Sequence, residues 1–162
     1  MSSVEEMFGS KSPRRMPGHF FLGCIQVDYN SAIRADTSKQ HFSVAPRHWY
    51  IDADVRCEQC DEVFRFSADE QRQWYEQYGF WVGSFPRHCP GCRRERRRVK
   101  ARHQEYDQSV ATALRSDDAE QKTRVIEIVD QLRAAGEKLP KKVHDNRELL
   151  ATQLARARRN PD

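Results

Sequence analysis

The sequence has no long apolar run and little apolar material overall. Its most apolar stretch, residues 20–27, is far shorter than the roughly 18–20 residues that a membrane-spanning helix needs. Hydrophobic residues make up 38% of the chain, and the mean hydropathy is −0.91. Residues 1–15 lack the apolar stretch of a secretory signal. These absences exclude one large core and predict a cytoplasmic protein that does not contact membranes.

The sequence also lacks the local motifs of common enzymes. It contains no glycine-rich phosphate loop and no Ser/His/Asp or Cys/His set in a recognisable context. The six histidines do not cluster. We therefore predict that the protein is not an enzyme and has no catalytic residues.

Cysteine is scarce, but four of the five cysteines fall into two Cys-x-x-Cys pairs, Cys57/Cys60 and Cys89/Cys92. An odd number of cysteines without an export signal disfavours a disulfide framework. Two such pairs favour one structural Zn²⁺ ion held tetrahedrally by four thiolates, with no open position for catalysis. An iron–sulfur cluster and redox dithiols are the alternatives. The fifth, Cys24, is expected to be a small buried apolar residue, and His88 is a weaker candidate ligand than Cys89.

The residues between the two pairs predict a small folded insertion. Phe64–Phe66 alternates as a short strand does, and Ser67 with Glu70 forms a helix-capping box. The helix is expected to run to about Tyr78 and to end at Gly79. The aromatic residues of this segment are expected to pack against Phe64, Phe66 and Phe85 as the module's core, and stacking on nucleic-acid bases is the alternative. They are Trp74, Tyr75 and Tyr78 on the helix, with Phe80 and Trp81 just beyond it.

The second pair opens a helix that carries most of the chain's positive charge. Residues 87–102 contain eight basic residues and one acidic residue, and helix-compatible residues continue to about 115. Some of these arginines would offset the negative charge of a four-thiolate zinc centre. The rest predict contact with nucleic acid phosphates through Arg93, Arg94, Arg96, Arg97, Arg98, Lys100 and Arg102.

The segments before the first pair are less regular. Residues 1–18 are rich in Ser, Pro and Arg, which predicts a disordered lead. Within 19–54 we expect strands at 19–27, 42–44 and 49–51 that pack on the zinc module, and a loop over 28–40.

The C-terminal segment 103–162 has helical periodicity. A capping box at Asp117–Glu120 begins one predicted helix, and Gly136 ends it. A second helix follows Pro140, and the two should form an antiparallel hairpin within 117–159. We expect this hairpin to pack on the preceding helix through Tyr106, Val110 and Leu114; docking of a protein partner or a second copy is the alternative.

A cysteine knuckle, a hairpin and a helix that starts at the second knuckle make up a treble-clef arrangement. Residues of about 49–97 resemble a bacterial family described as the probable zinc-ribbon domain, of treble-clef type. The matching motifs are Cys57-Glu-Gln-Cys60, Phe64-Arg-Phe66, Ser67-Ala-Asp-Glu-Gln71, Trp74-Tyr75, Tyr78-Gly-Phe80 and Pro86-Arg-His-Cys-Pro-Gly-Cys-Arg93. The sequence departs from the family pattern at Asp61, where Gly is usual, and at the inserted His88. The resemblance implies zinc binding, and Asp61 must then adopt the turn conformation that Gly would supply.

Together these observations predict an α+β protein with a treble-clef zinc domain over 55–102 and a helical tail over 103–162. The predicted function is non-catalytic: zinc shapes a basic helix at 87–102 that binds RNA or DNA without sequence preference. The alternative is a protein-interaction adaptor that uses the zinc module and the C-terminal hairpin.

Overall fold

The computed structural model describes residues 8–159, which form a three-stranded antiparallel sheet and four α-helices. The prediction of an α+β fold is therefore confirmed. The chain divides into two compact units, Met1–Cys92 and Arg93–Asp162, which we call the N-terminal unit and the C-terminal unit. Within the described residues, no helix has both the length and the apolar character needed to cross a membrane.

The sheet of the N-terminal unit has the order β1-β2-β3, with β1 at Cys24–Arg34, β2 at Trp49–Arg56 and β3 at Val63–Phe66. Alternate residues of β2 and β3 are buried, as expected for a sheet with one face on a core. The register pairs Val55 with Phe64 and Arg56 with Val63. The turn between β2 and β3 therefore contains the first cysteine pair.

The structure corrects the predicted strands before β2. Residues 18–21 form a 3₁₀ turn, and β1 begins only at Cys24 and continues to Arg34, where a loop was expected. The polar residues 28–31 suggested a loop because they form an irregularity within the strand: the register shifts between Asp28 and Ile33, and Ser31 Oγ donates to the Asp28 carbonyl at 2.7 Å. The predicted strand at 42–44 is absent.

The described part of the predicted disordered lead packs on the N-terminal unit. Pro13–Arg15 form a 3₁₀ turn, and Met16 is buried in the core. Trp49 Nε1 donates to the Gly9 carbonyl at 2.9 Å. Residues 8–18 therefore differ from the prediction, whereas residues 1–7 lie outside the described residues.

Helix α1, Ala68–Arg72, follows β3 and passes into a π-helical segment at Gln73–Gln77. Ser67 Oγ caps α1 by accepting from Glu70 N at 3.1 Å, as the sequence predicts. The segment ends before Gly79, whose φ of 66° lies in the left-handed region that glycine adopts without steric cost.

The core of the N-terminal unit is aromatic and contains a buried polar network. Tyr50, Phe66 and Tyr75 are fully buried between the sheet and α1. Gln71 is also fully buried and bonds both backbone groups of Ile51, accepting from its N at 3.2 Å and donating to its carbonyl at 2.6 Å. This network joins α1 to the middle of the sheet.

The remaining three helices are α2, Pro90–Arg115, α3, Ala119–Ala134, and α4, Lys141–Arg159. In the C-terminal unit the buried core is formed by Tyr106, Ala113, Val125, Ile128, Val129, Leu132 and Leu150, with Val110 and Leu114 packed at its edge. The apolar stripes of the hairpin thus pack on the face of α2 that the sequence predicts. The cap of α3 is Asp118, which accepts from Glu120 N and Gln121 N, rather than the predicted Asp117.

Candidate metal centre and nucleic-acid interface

The first cysteine pair lies in the tight turn between β2 and β3. Cys57 N donates to the Glu62 carbonyl at 2.8 Å, and Asp61 N donates to the Cys57 carbonyl at 3.0 Å. Asp61 has a φ of 65°, the left-handed conformation that an L side chain adopts only at a cost. This agrees with the expectation that Asp61 occupies the turn position where glycine is usual in the resembling family.

The second cysteine pair begins α2. Pro90 is the first residue of this helix, a position where its fixed φ and missing N–H are well tolerated. Cys92 N donates to Cys89 Sγ at 3.4 Å, so a free helix-end N–H group bonds a sulfur atom. The two turns are joined by a hydrogen bond from Glu58 N to the Arg87 carbonyl at 2.9 Å.

These two turns bring four sulfur atoms together. The Sγ atoms of the group lie within 4.8 Å of one another, and the group consists of Cys57, Cys60, Cys89 and Cys92. A zinc–sulfur distance of about 2.3 Å in a tetrahedron requires sulfur–sulfur separations of about 3.8 Å. Cys60 Sγ and Cys89 Sγ are 3.8 Å apart, so the donor set fits a tetrahedral metal ion that prefers thiolates.

The thiols of this cluster differ in acidity because they share one small space. Burial opposes ionisation of Cys57, yet backbone groups of Cys89, Cys60 and Gln59 outweigh it and lower its pKa to about 6. The pKa of Cys92 rises to about 12 because burial and hydrogen bonds with the other three thiols favour its protonated form. A bound cation would remove this conflict, since it stabilises all four thiolates and displaces their protons.

The fifth cysteine and the neighbouring histidine are not part of this group. Among residues 8–159, the cluster contains neither Cys24 nor His88. Cys24 is half-buried at the start of β1, and burial raises the pKa of its thiol. It therefore resembles a packed apolar residue, as the sequence predicts, more than a ligand.

The seven predicted phosphate-contacting residues lie along the first four turns of α2 and differ in exposure. Arg93 and Arg102 are half-buried, whereas the exposed members are Arg94, Arg96, Arg97, Arg98 and Lys100. Arg94, Arg97 and Lys100 follow one another at intervals of three residues, so they lie on one side of the helix. Val99 and Tyr106, which pack on or within the C-terminal core, lie on the opposite side.

Arg98 and Arg102 are engaged by side chains of their own unit. Glu95 pairs with Arg98 and with Arg102, each at 3.7 Å, and Arg102 Nε donates to Gln131 Oε1 at 2.9 Å. In contrast, Arg94, Arg97 and Lys100 make no ion pair with any residue in the described range. We call these three residues the basic face of α2.

The aromatic residues of 74–81 divide between core and surface. Tyr75 is fully buried, and Trp74 packs on the core, with its ring 4.9 Å from that of Phe66. Tyr78, Phe80 and Trp81 are exposed by 61%, 45% and 43%. The expectation of an aromatic core is thus confirmed for Trp74 and Tyr75 and wrong for the other three. Tyr78 is the exposed C-cap residue of the π-helical segment, and Phe80 and Trp81 follow it after Gly79.

Sequence reasoning missed Arg47, a fully buried cation in the N-terminal unit. Its guanidinium donates to the carbonyl oxygens of Phe20 at 2.8 Å and Val82 at 3.2 Å, and to Gln71 Oε1 at 3.3 Å. Four aromatic rings surround it, and their centroids lie 4.8–5.7 Å from its Cζ: Phe20, Phe21, Tyr75 and Phe85. Its position directly after Pro46 carries no signal of burial.

Comparison with known proteins gives one match. The model of a family described as a probable treble clef domain matches residues 51–101. A search of the curated proteins and a search of the solved structures each gave no match. The resemblance predicted over about 49–97 is therefore confirmed: residues 51–101 match the treble clef family, and the four cysteines within them form a candidate metal centre.

Proposed function

We propose that the protein is a non-catalytic module in which one structural zinc ion, held by Cys57, Cys60, Cys89 and Cys92, fixes the start of a helix that binds nucleic acid. The four-thiolate set supports zinc, because such sets are typical of closed structural zinc sites. A closed site also leaves no position for a substrate at the metal.

The basic face of α2 is the observation that carries the nucleic-acid assignment. Arg94, Arg97 and Lys100 are exposed, share one side of a helix and have no carboxylate partner among residues 8–159. Exposed Arg96 and Arg98 flank them. Three to five phosphate contacts would give a slope of log K against log salt of about −2 to −4.

The adaptor alternative has less support from the described surface. The apolar residues of α3 and α4 that would grip a partner are buried within the C-terminal unit: Val125, Ile128, Val129, Leu132 and Leu150. A hairpin whose apolar stripe is already covered has little left for a partner.

The proposal is tested by fluorescence polarisation with labelled mixed-sequence RNA and DNA over a salt series that starts at about 50 mM. The variant Arg94→Gln/Arg97→Gln/Lys100→Gln should bind more weakly, and its salt slope should be shallower by roughly 2 to 3. Its zinc content should be unchanged, since none of these residues is a ligand.

A matched control removes three exposed positive charges from the end of α4: Arg156→Gln/Arg158→Gln/Arg159→Gln. If binding depends on net charge alone, both triple variants lose the same affinity, and the assignment to α2 is overturned. Failure of the unmodified protein to bind RNA or DNA at about 50 mM salt overturns the proposed function itself.

A further inference from the structure

Three exposed aromatic side chains follow the π-helical segment within four residues: Tyr78, Phe80 and Trp81. We call them the aromatic loop. Large aromatic side chains that are exposed and clustered mark binding surfaces. The zinc site does not use them.

The aromatic loop is held in place by backbone and ring contacts. Phe80 N donates to the Trp74 carbonyl at 2.9 Å, and the Phe80 ring packs edge-on against Trp74 at 5.1 Å. The Trp81 ring packs edge-on against His41 at 5.6 Å. These rings are thus pre-positioned, which lowers the entropy lost when a ligand binds them.

The chain segment that contains the loop carries no net charge. Residues 71–84 contain one basic and one acidic residue, Arg72 and Glu76. The Glu76 carboxylate already accepts a hydrogen bond from Asp36 N at 2.8 Å. This segment therefore does not repel a polyanion through excess negative charge. It also has no net charge that could attract a strongly charged protein surface.

We infer that the aromatic loop stacks on unpaired bases, so that the nucleic acid is single-stranded. This inference rests on the proposed function: the charge of the basic face of α2 is complementary to a polyanion, and single-stranded nucleic acid is the polyanion that also offers free aromatic faces. Base–aromatic stacking adds affinity for single strands with little regard to sequence. A duplex keeps its bases stacked inside and cannot use the loop.

The test compares a labelled oligodeoxythymidine with a blunt mixed-sequence duplex of the same length. Tyr78→Ala/Phe80→Ala should weaken binding of the single strand by at least about fivefold and leave the duplex affinity and the salt slope unchanged. The conservative variant Tyr78→Phe should bind as the unmodified protein does. Leu22→Ala is the matched control, because it removes another exposed apolar side chain of the same unit without removing a ring.

Zinc content and near-ultraviolet circular dichroism establish that each variant is folded. An aromatic-loop variant that is folded and binds the single strand normally overturns the inference, while the triple variant of the basic face still tests the proposed function. Equal losses of single-strand and duplex affinity also overturn it. If the unfolded fraction rises in the double variant, the single variant Tyr78→Ser replaces it, because Tyr78 is the most exposed of the three rings. Its affinities for the single strand and for the duplex are judged in the same way.

Discussion

The two units of this chain are stabilised in different ways. The buried core of the N-terminal unit includes two cysteines of the metal site, Cys57 and Cys89, together with the Arg47–Gln71 network. The buried core of the C-terminal unit is mainly aliphatic, with Lys122 as the buried charged residue among those described. Thus the core of the first unit combines cysteines of a candidate metal centre with a buried polar network, whereas that of the second is formed by helix packing.

This difference shows how a chain of low hydropathy forms two cores. A bound metal supplies binding free energy directly to folding, in addition to the aromatic core of the sheet. A helical hairpin on a third helix has no such supplement and must bury a continuous apolar stripe. The stripe formed by Val125, Ile128, Val129, Leu132 and Leu150 is the result.

The largest expected effect is loss of a metal ligand. Replacing any one of the four clustered cysteines with serine should abolish stoichiometric zinc binding and unfold the cysteine turns. Structural zinc contributes roughly 10–16 kcal/mol of apparent binding free energy at pH 7, compared with about 5–15 kcal/mol for the stability of a whole domain. Elemental analysis and near-ultraviolet circular dichroism measure the two losses.

Cys24→Ser is the matched control for that experiment, because Cys24 lies outside the cluster. It should retain one zinc per chain and the aromatic signal. Two results would contradict the assignment of a zinc site to the four clustered cysteines. One is iron instead of zinc in the purified protein, and the other is a loss of zinc in Cys24→Ser as large as in the ligand variants.

An effect of intermediate size is expected on the free energy of unfolding when a buried cation is replaced, and it should differ between Arg47 of the N-terminal unit and Lys122 of the C-terminal unit. Arg47→Met should destabilise the N-terminal unit by about 3 kcal/mol. It leaves the buried carbonyl oxygens of Phe20 and Val82 without the Arg47 donor and removes one of the two donors to Gln71 Oε1. Lys122 makes one hydrogen bond, from its Nζ to Gln153 Oε1 at 2.7 Å, and Gln153 is half-buried. Lys122→Met should therefore cost less than about 1 kcal/mol.

Urea unfolding of the zinc-loaded variants measures both effects. The near-ultraviolet signal follows the aromatic N-terminal core, and the far-ultraviolet signal follows the helices. A cost for Lys122→Met as large as that for Arg47→Met would show that the two cores do not differ as described.

The smallest effect concerns the first cysteine turn. Asp61→Gly removes the steric cost of a left-handed residue and should raise zinc affinity by up to about fivefold, equivalent to about 1 kcal/mol. The lost ion pair with Arg56, at 3.9 Å between exposed groups, is worth little. Competition with a chelator measures the affinity, and Asp61→Ala, which retains a Cβ atom, should show no gain.

The elements with local chemical signals were predictable from the sequence. The cysteine spacing indicated both turns, Ser67 indicated the start of α1, and Gly79 and Gly136, with φ values of 66° and 79°, indicated where helical segments end. Each of these signals depends on residues close together in the chain. The helical periodicity of 119–159 belongs to the same class.

The features that were missed depend on contacts between distant residues. Residues 28–34 join a strand because they pair with β2, where Asp28 faces Asp52 and Ile33 faces Tyr50, although their polar composition is typical of a loop. Arg47 is buried because segments from 20 to 85 surround it. No local pattern distinguishes it from the exposed arginines of α2.

Hydrogen exchange after metal removal tests the difference between the two units most directly. The protein is treated with a chelator under reducing conditions, and amide protection is compared with that of the zinc-loaded form. We expect residues 57–62, 86–89 and the paired strands to lose protection, while residues 119–159 keep theirs because their core contains no metal ligand. Loss of protection in 119–159 together with the sheet would contradict the account, since both units would then depend on the metal.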